Sequence, residues 1–426
     1  LFSFDDVKFD SQGSIVLKPD CSIVIKSEIT IDSERFNSIH KILTANMSKI
    51  IPILLDEQKI NVEVWGFEYH HLDTELDEGK ITLTLVPQDD PFQLKGDKRT
   101  KISKVYFHLF DFKSVKGTSL DVIPRNNKHF KKGNEIAGIT ELISDQWTVE
   151  LHCVGHIDYN SYYPCLTHVG SFSRTDGSMF SGGHAQQFLK DLKLFLTFCH
   201  GSSCNPKMAV GFDDNGNKVW ALGDGVGQTE KKSLSWFDQL CPGQLIQLFP
   251  KFMSKLEDKR WKETLKTVIC WYARSNSISE RENETAIVLT QIALEKIAYE
   301  YAVNDKRMIL SNSFTANSFK TSDRLRLLYA NLGIPIDIPH QPATLQQAFV
   351  KNKPLSEDSF DFLTGVRNNI VHAKHKKNGF FSLYTEARQL GLWYLELAIL
   401  KVCNYDGKYK NRLHDRLVDG KIEKIP

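Results

Sequence analysis

The sequence predicts an α+β multidomain chain, with a β-rich N-terminal domain over 1–180, a mixed α/β middle that turns helical over 181–276, and an all-α helical bundle over 277–426. Three observations predict it. Apolar residues make up 41% of the 426 residues and aromatics 11%, a globular composition with cores for about two to three domains. Short runs of Val, Ile and aromatics, several alternating with polar residues, crowd the first 170 or so positions. Helical spacing takes over from His184 and is almost unbroken after Trp236.

The strands come first. GSIVLKPDCSIVIKSEITI, KINVEVWGFEYHHL, KITLTLVP, KVYFHLFDF and QWTVELHCVGHI all suit a pleated, half-buried surface. One helix is expected among them, SERFNSIHKILTAN, capped by Ser33 with Phe36, Ile39, Ile42 and Leu43 on one face. The stretches Gln88 to Thr100 and Pro124 to Asn134 read as polar loops. HAQQFLKDLKLFLTFCHG then places Phe188, Leu192, Phe195 and Leu196 at helical spacing. In VGFDDNGNKVWAL, Asn215 and Gly216 predict a tight hairpin turn between apolar flanks, because both tolerate positive φ. WFDQLCPGQLIQLFPKFMSKL, ETLKTVICWYARSN, ETAIVLTQIALEKIAYEYAV, SDRLRLLYANLG, SEDSFDFLTGVRNNIVHA and YTEARQLGLWYLELAILKV supply the later helices.

Charge excludes little and localises something. The net charge is +2, from 54 Lys plus Arg against 52 Asp plus Glu, so no global field advertises a polyanion partner. From Lys374 onward, however, 11 basic residues face 6 acidic ones, a basic patch or simply a solvated face. The eight cysteines include no CxxC pair and fit reduced thiols in a cytoplasm, bacterial by the resemblance below. No apolar run is long enough to span a bilayer, so no membrane partner is expected. The start LFSFDDVKFD lacks a basic lead and an apolar core, so it is not expected to be a signal peptide; with no initiator Met, the true start can lie upstream.

One short stretch stands out chemically. VRNNIVHAKHKK sets Arg367 and His372 five residues apart, with Asn368 directly after the arginine. Spacing alone proves nothing, since Arg35 and His40 in RFNSIH repeat it. Context separates the two. At about 100° per residue, Leu363, Val366 and Ile370 form a core stripe that Phe360 reinforces. His372 falls about 180° from Leu363 and Asn368 about 140°, so both face outward. Arg367, near 40°, can bury its stem and send its guanidinium out.

RNNIVH is similar to the RNxxxH motif of the HEPN superfamily, small helical domains found in many nucleases of prokaryotic anti-phage defence and toxin systems. IVLTQIALEKIAYEYA, with Gln291 and Glu295 one turn apart, resembles the first long HEPN helix, and the helix order through LGLWYLELAILKV agrees over about Ser279 to Asn404. More loosely, a β-rich front joined to a C-terminal HEPN domain resembles the ApeA-type abortive-infection proteins. The resemblance implies a metal-independent endoribonuclease in which the ribose 2′-hydroxyl attacks the adjacent phosphorus, with no cofactor. His372 would be general base or acid, Arg367 the grip on the phosphate, and Asn368 an orienting group. It further implies a homodimer through the HEPN domain, tRNA or another cellular RNA as substrate, and a phage-derived or cellular trigger acting on the N-terminal domain. Lys374, His375, Lys376 and Lys377 would hold RNA phosphates, or form a solvated helix end. Such domains also serve as non-catalytic modules that bind RNA, a nucleotide or a protein.

Two other patterns read as structural. His152, Cys153, His156, Cys165, His168, His184, Cys199, His200 and Cys204 are concentrated in one region, yet only CLTH and CHGSSC approximate paired zinc ligands, so they read as buried thiols and strand histidines, with no metal. Gly223, Gly225 and Gly227 of LGDGVG lack GxGxxG spacing and read as a flexible loop. Arg281 and Arg324 or Arg326 are candidates to point toward the motif.

Overall fold

The structure, a computed structural model, describes all residues except 1, 5–6, 10–11, 18–22, 33–49, 56–57, 74–77, 88–91, 116, 118, 124–134, 156, 162, 225–232, 340–357, 373–382 and 415–417. The helix expected at Ser33 to Asn46, with Arg35 and His40, lies outside the described residues. The architecture is mixed α/β, with a β-rich region in the N-terminal half and a helical C-terminal part.

Two antiparallel sheets account for the β-rich region. The first has seven strands in the order Val7–Phe9, Phe2–Phe4, Ile50–Leu55, Gln58–Asp73, Glu78–Pro87, Ile23–Asp32 and Gln12–Leu17. The second has eight, in the order Ser119–Ile123, Glu135–Ile143, Trp147–Cys153, Leu166–Arg174, Lys104–Phe110, Lys207–Phe212, Lys218–Gly223 and Phe92–Lys95. This sheet carries the chain across residue 180, because Lys104–Phe110 pairs with Leu166–Arg174 on one side and with Lys207–Phe212 on the other. Alternation does its expected work at Trp147, Val149 and Leu151, which are buried while Thr148 and Glu150 are not. Phe107 lies opposite Gly170 across the central pair, and its ring occupies the space where a Cβ of Gly170 would sit.

The hairpin between Lys207–Phe212 and Lys218–Gly223 forms, but not with the tight turn expected. Phe212 pairs with Lys218, so residues 213–217 make the connection, and of Asn215 and Gly216 only the glycine has positive φ, +79°. Asp213 explains the longer loop: its carboxylate accepts the backbone N–H groups of Asn215 and Asn217, an Asx-type arrangement that competes with a two-residue turn.

Helix α1, Gly182–His200, is capped by Ser181, whose side chain accepts the His184 N–H, and stopped by Gly201 at φ +93°. It packs on the second sheet through Phe188, stacked 4.4 Å from Trp147. Its other end meets the helical part, where Phe195 touches Phe249 and Phe252. Helices α2 (Gly243–Glu257) and α3 (Lys259–Ser277) follow, with Asp258 capping α3 through the Arg260 and Trp261 N–H groups. Then come α4 (Asn283–Tyr299, continued by a π turn to Asp305), α5 (Ser311–Thr315), α6 (Thr321–Leu332), α7 (Ser359–Val371) and α8 (Tyr384–Val402). One contiguous core runs from Ile102, on a short strand paired with Phe180–Ser181 just before the second sheet's Lys104–Phe110, to Ile425 near the tail.

Helix α8 is buried on nearly every side, as a helix apolar all round must be. Gly391 lets it approach α4 closely: a Cβ there would meet the Thr290 methyl at 3.1 Å. Two charged residues interrupt its apolar run, and both are spoken for. Arg388 donates to the Ser275, Asn276 and Ile278 carbonyls, closing the end of α3. Glu396 forms a two-pronged pair with Arg412 and accepts the Tyr272 hydroxyl at 2.6 Å, with Glu396 and Arg412 side chains fully buried.

Candidate functional site

The Arg367 surface is assembled from α4, α6 and α7. Helix α7 starts at Asp358, whose carboxylate accepts the Phe360 and Asp361 N–H groups. The same carboxylate binds Arg326 at 2.6 Å, and Asp323 and Asp361 bind that guanidinium too. Arg326 is thereby committed to fastening α6 to the start of α7, and its carboxylate partners hold its proton more firmly than usual. Phe360, Leu363 and Val366 are buried and Ile370 packs against the core, as their stripe requires.

At the far end of α7 the helix stops one residue earlier than the outward-stripe geometry assumes. Val371 is the last helical residue, and His372 is the C-cap with extended backbone, φ −104° and ψ 112°. Its N–H still donates to the Asn368 carbonyl at 2.9 Å, so the last helical turn closes before the chain departs. His372 is exposed and Asn368 partly buried. Asn369, its neighbour, is buried and bonds Tyr384 instead.

Arg367 links this end to α4. Its stem is partly buried at the edge of the core stripe, and Nη1 donates to Asn368 Oδ1 at 3.1 Å, which ties the guanidinium to the side chain of the next residue. Its charge, with that of Arg324, also acts on Glu295 of α4; burial nevertheless pushes the Glu295 carboxyl above the usual range, against those two cations and the Gln291 side chain. Arg367 Nε and Arg324 Nε are buried without a hydrogen-bond partner among the described residues. Helices α4, α6 and α7 thus bring Glu295, Arg324 and Arg367 together. Sequence spacing pairs Gln291 with Glu295 but gives no sign of which arginine joins them. Arg324 does, also lying 5.3 Å over the Phe314 ring; Arg326 does not, and Arg281 is exposed on the turn before α4.

Other sequence-singled residues fall elsewhere. Lys374, His375, Lys376, Lys377, His156, Gly225 and Gly227 lie outside the described residues. Gly223 ends a strand. Cys153 and His168 are cross-strand partners, and His168 and His200 are buried on the Phe112 ring. Cys199 and Cys204 are buried thiols whose pKa values burial pushes up, so neither is a ready thiolate. Among the described residues, no three His, Cys, Asp or Glu gather as metal ligands. None of the described helices is long and apolar enough to cross a membrane.

Comparison with known proteins finds two matched families. Residues 97–224 match the YopA central domain and residues 258–423 the YopA C-terminal domain. The first spans most of the second sheet with α1, and the second begins at the cap of α3. The chain is 29% identical over 269 residues to the SPbeta prophage-derived uncharacterized protein YopA of Bacillus subtilis (strain 168). That alignment takes in 61% of this chain and 58% of the relative, so the chain spans a little over half the relative's length. No solved structure matches.

Proposed function

We propose that the helical part, residues 277–426, is a HEPN-type domain acting as a metal-independent endoribonuclease, with Arg367, Asn368 and His372 as its reacting surface. The observation that carries this is the bond from the Arg367 guanidinium to Asn368, about one helical turn before an exposed histidine, with the Glu295 carboxyl and Arg324 close by. The chemistry needs few parts. His372 takes the proton of the ribose 2′-hydroxyl as its oxygen attacks phosphorus; the 5′-oxygen leaves, taking a proton from the matching His372 of a second copy; Arg367 compensates the charge on the phosphoryl oxygens. A 2′,3′-cyclic phosphate and a 5′-hydroxyl result. Glu295 of α4 lies close enough for the Arg367 charge to act on its carboxyl.

The same proposal extends to the biological setting. A nuclease of cellular RNA such as tRNA is toxic and requires restraint, which the β-rich region would supply until a phage-derived or cellular trigger releases it. The relative is a prophage-derived protein, and a prophage gains from abortive infection that denies its host to a competing phage. The test is cleavage of tRNA and total RNA in EDTA by the purified chain, beside His372→Ala and Arg367→Ala. Cleavage that persists in both variants removes these residues from the chemistry. Absence of cleavage in every condition, with RNA still bound, makes the domain a binding module.

A further inference from the structure

Away from the Arg367 surface, a cavity of about 460 Å³ opens where the strand-end residue Lys113, the segment Ser233–Gln239 and the tail residues Lys410 and Arg412 meet. Its size is that of small-ligand sites. Three cations line it, and two are already neutralised. Arg412 is held by Glu396, and Lys410 by Asp419 at 2.5 Å and Asp238 at 3.7 Å.

Lys113 differs. Its Nζ donates to Ser235 Oγ at 2.5 Å and to the Phe237 carbonyl at 3.3 Å, over the Phe237 ring, and no carboxylate among the described residues lies within ion-pair reach. Burial, with Lys410 and Arg412 nearby, pulls its pKa down to about 7 against the opposing pull of Glu396 and Cys199. Asp419 is the other charged group that feels it. A nucleophile-and-base pairing with Ser235 does not fit, because the Ser235 hydroxyl proton is directed at the Cys199 carbonyl at 2.6 Å. Among the described residues, what the ammonium lacks is an anion. Ser233 adds a donor: its oxygen accepts from Asn276 Nδ2 at 3.0 Å, which leaves its own proton to point into the cavity. An ammonium and a hydroxyl suit an oxyanion, and the remaining volume, walled by the exposed Tyr159 and Leu234, accommodates a body attached to it.

We propose that this cavity binds a small phosphomonoester, anchored by Lys113. It stands independently of the ribonuclease activity, since none of its residues belongs to the Arg367 surface. Binding fixes the proton on Lys113, so at pH 8, where a phosphomonoester is already a dianion, complex formation takes up close to one proton. Calorimetry of the full chain in two buffers of different ionisation enthalpy reads that uptake. The probes are inorganic phosphate, ribose 5-phosphate, adenosine 5′-monophosphate and adenosine. Affinity for both organic phosphates with none for adenosine supports the site; tightest binding of inorganic phosphate would restrict the occupant to the free ion and overturn the phosphomonoester. Lys113→Met should weaken binding about 10- to 150-fold, as loss of a hydrogen bond to a charged group does, abolish the proton uptake, and leave the unliganded protein about as stable, since the cation removed is only partly buried. Ser233→Ala should weaken binding severalfold. No binding of any phosphate at millimolar concentration to the folded parent, or equal binding and uptake in Lys113→Met, overturns the proposal.

Discussion

Removing Glu396 is the sharpest single perturbation that the helical part offers. In Glu396→Leu the leucine fits an already apolar helix, while Arg412 stays fully buried and loses both carboxylate bonds, at 2.5 and 3.0 Å. What remains to it are contacts at 3.3 Å with Asn276, Gln389 and the Leu234 carbonyl, too long and too neutral to replace a charge. Stranding a buried charge costs about 3–5 kcal/mol. The Tyr272 hydroxyl also loses its acceptor, but both losses share one carboxylate and do not simply add. Tyr272→Phe alone should cost about 1.5 kcal/mol, because Glu396 keeps Arg412. The double change Glu396→Leu with Arg412→Leu should recover most of the loss, since no charge is then left buried. Urea unfolding followed by far-UV circular dichroism measures all four proteins. A loss below about 1 kcal/mol in Glu396→Leu, or a double variant no better than the single one, refutes the reasoning.

Three further outcomes follow. His372→Ala should lower RNA cleavage by about 10²–10⁴-fold, the usual worth of a general base or acid, and Arg367→Lys should lose much of the activity through its bidentate grip; gel assays of tRNA decay read both, and unchanged rates exclude the roles assigned. Glu295→Gln should stabilise the protein at pH 7 and not at pH 4: the folded carboxyl has its pKa raised, so its contribution is full below the unfolded value and is lost as pH rises through the folded one. Melting temperatures at the two pH values decide it, and a variant less stable at pH 7 contradicts the sign. Gly170→Ala should cost about 1–3 kcal/mol by overpacking, because its Cβ would fall 2.2 Å from Phe107 Cζ; a neutral result in thermal unfolding means that the ring has room to move.

The sequence is most legible where a single period governs burial. The stripe Phe360, Leu363, Val366 and Ile370, the helix from Gly182 and the alternation at Trp147–Cys153 all answer to one geometric repeat. Legibility fails where a side chain competes with the backbone. Asp213 captures two N–H groups and lengthens the hairpin that Asn215 and Gly216 suggest, and a C-cap at His372 interrupts the helical angle count one residue short. It fails again where partners are distant in the chain. Nothing near Arg388 announces the α3 carbonyls 110 or more residues away, and nothing near Lys113 announces Ser235. Arg324 and Arg326 are two residues apart, yet three carboxylates claim only the second. In the candidate site the reacting types and the Gln291–Glu295 pair stand out locally, whereas the part of Arg324 emerges only from helix packing.

The tail that supplies Arg412 also sets a timetable for synthesis. Residues after α8 return to the segment before α2: the Lys410 N–H donates to the Trp236 carbonyl, Gln244 to the Lys408 carbonyl, and the Gly420 N–H to Asp238. On the ribosome, where N-terminal units fold first, the sheet and α1 can condense while the last helices are still being made. Helix α8 cannot settle against Tyr272 until Arg412, 16 residues later, has emerged to meet Glu396. Helix α7 packs against that helix through Phe360 and Tyr394, so the surface it carries is completed late. A chain interrupted in translation would be left without it.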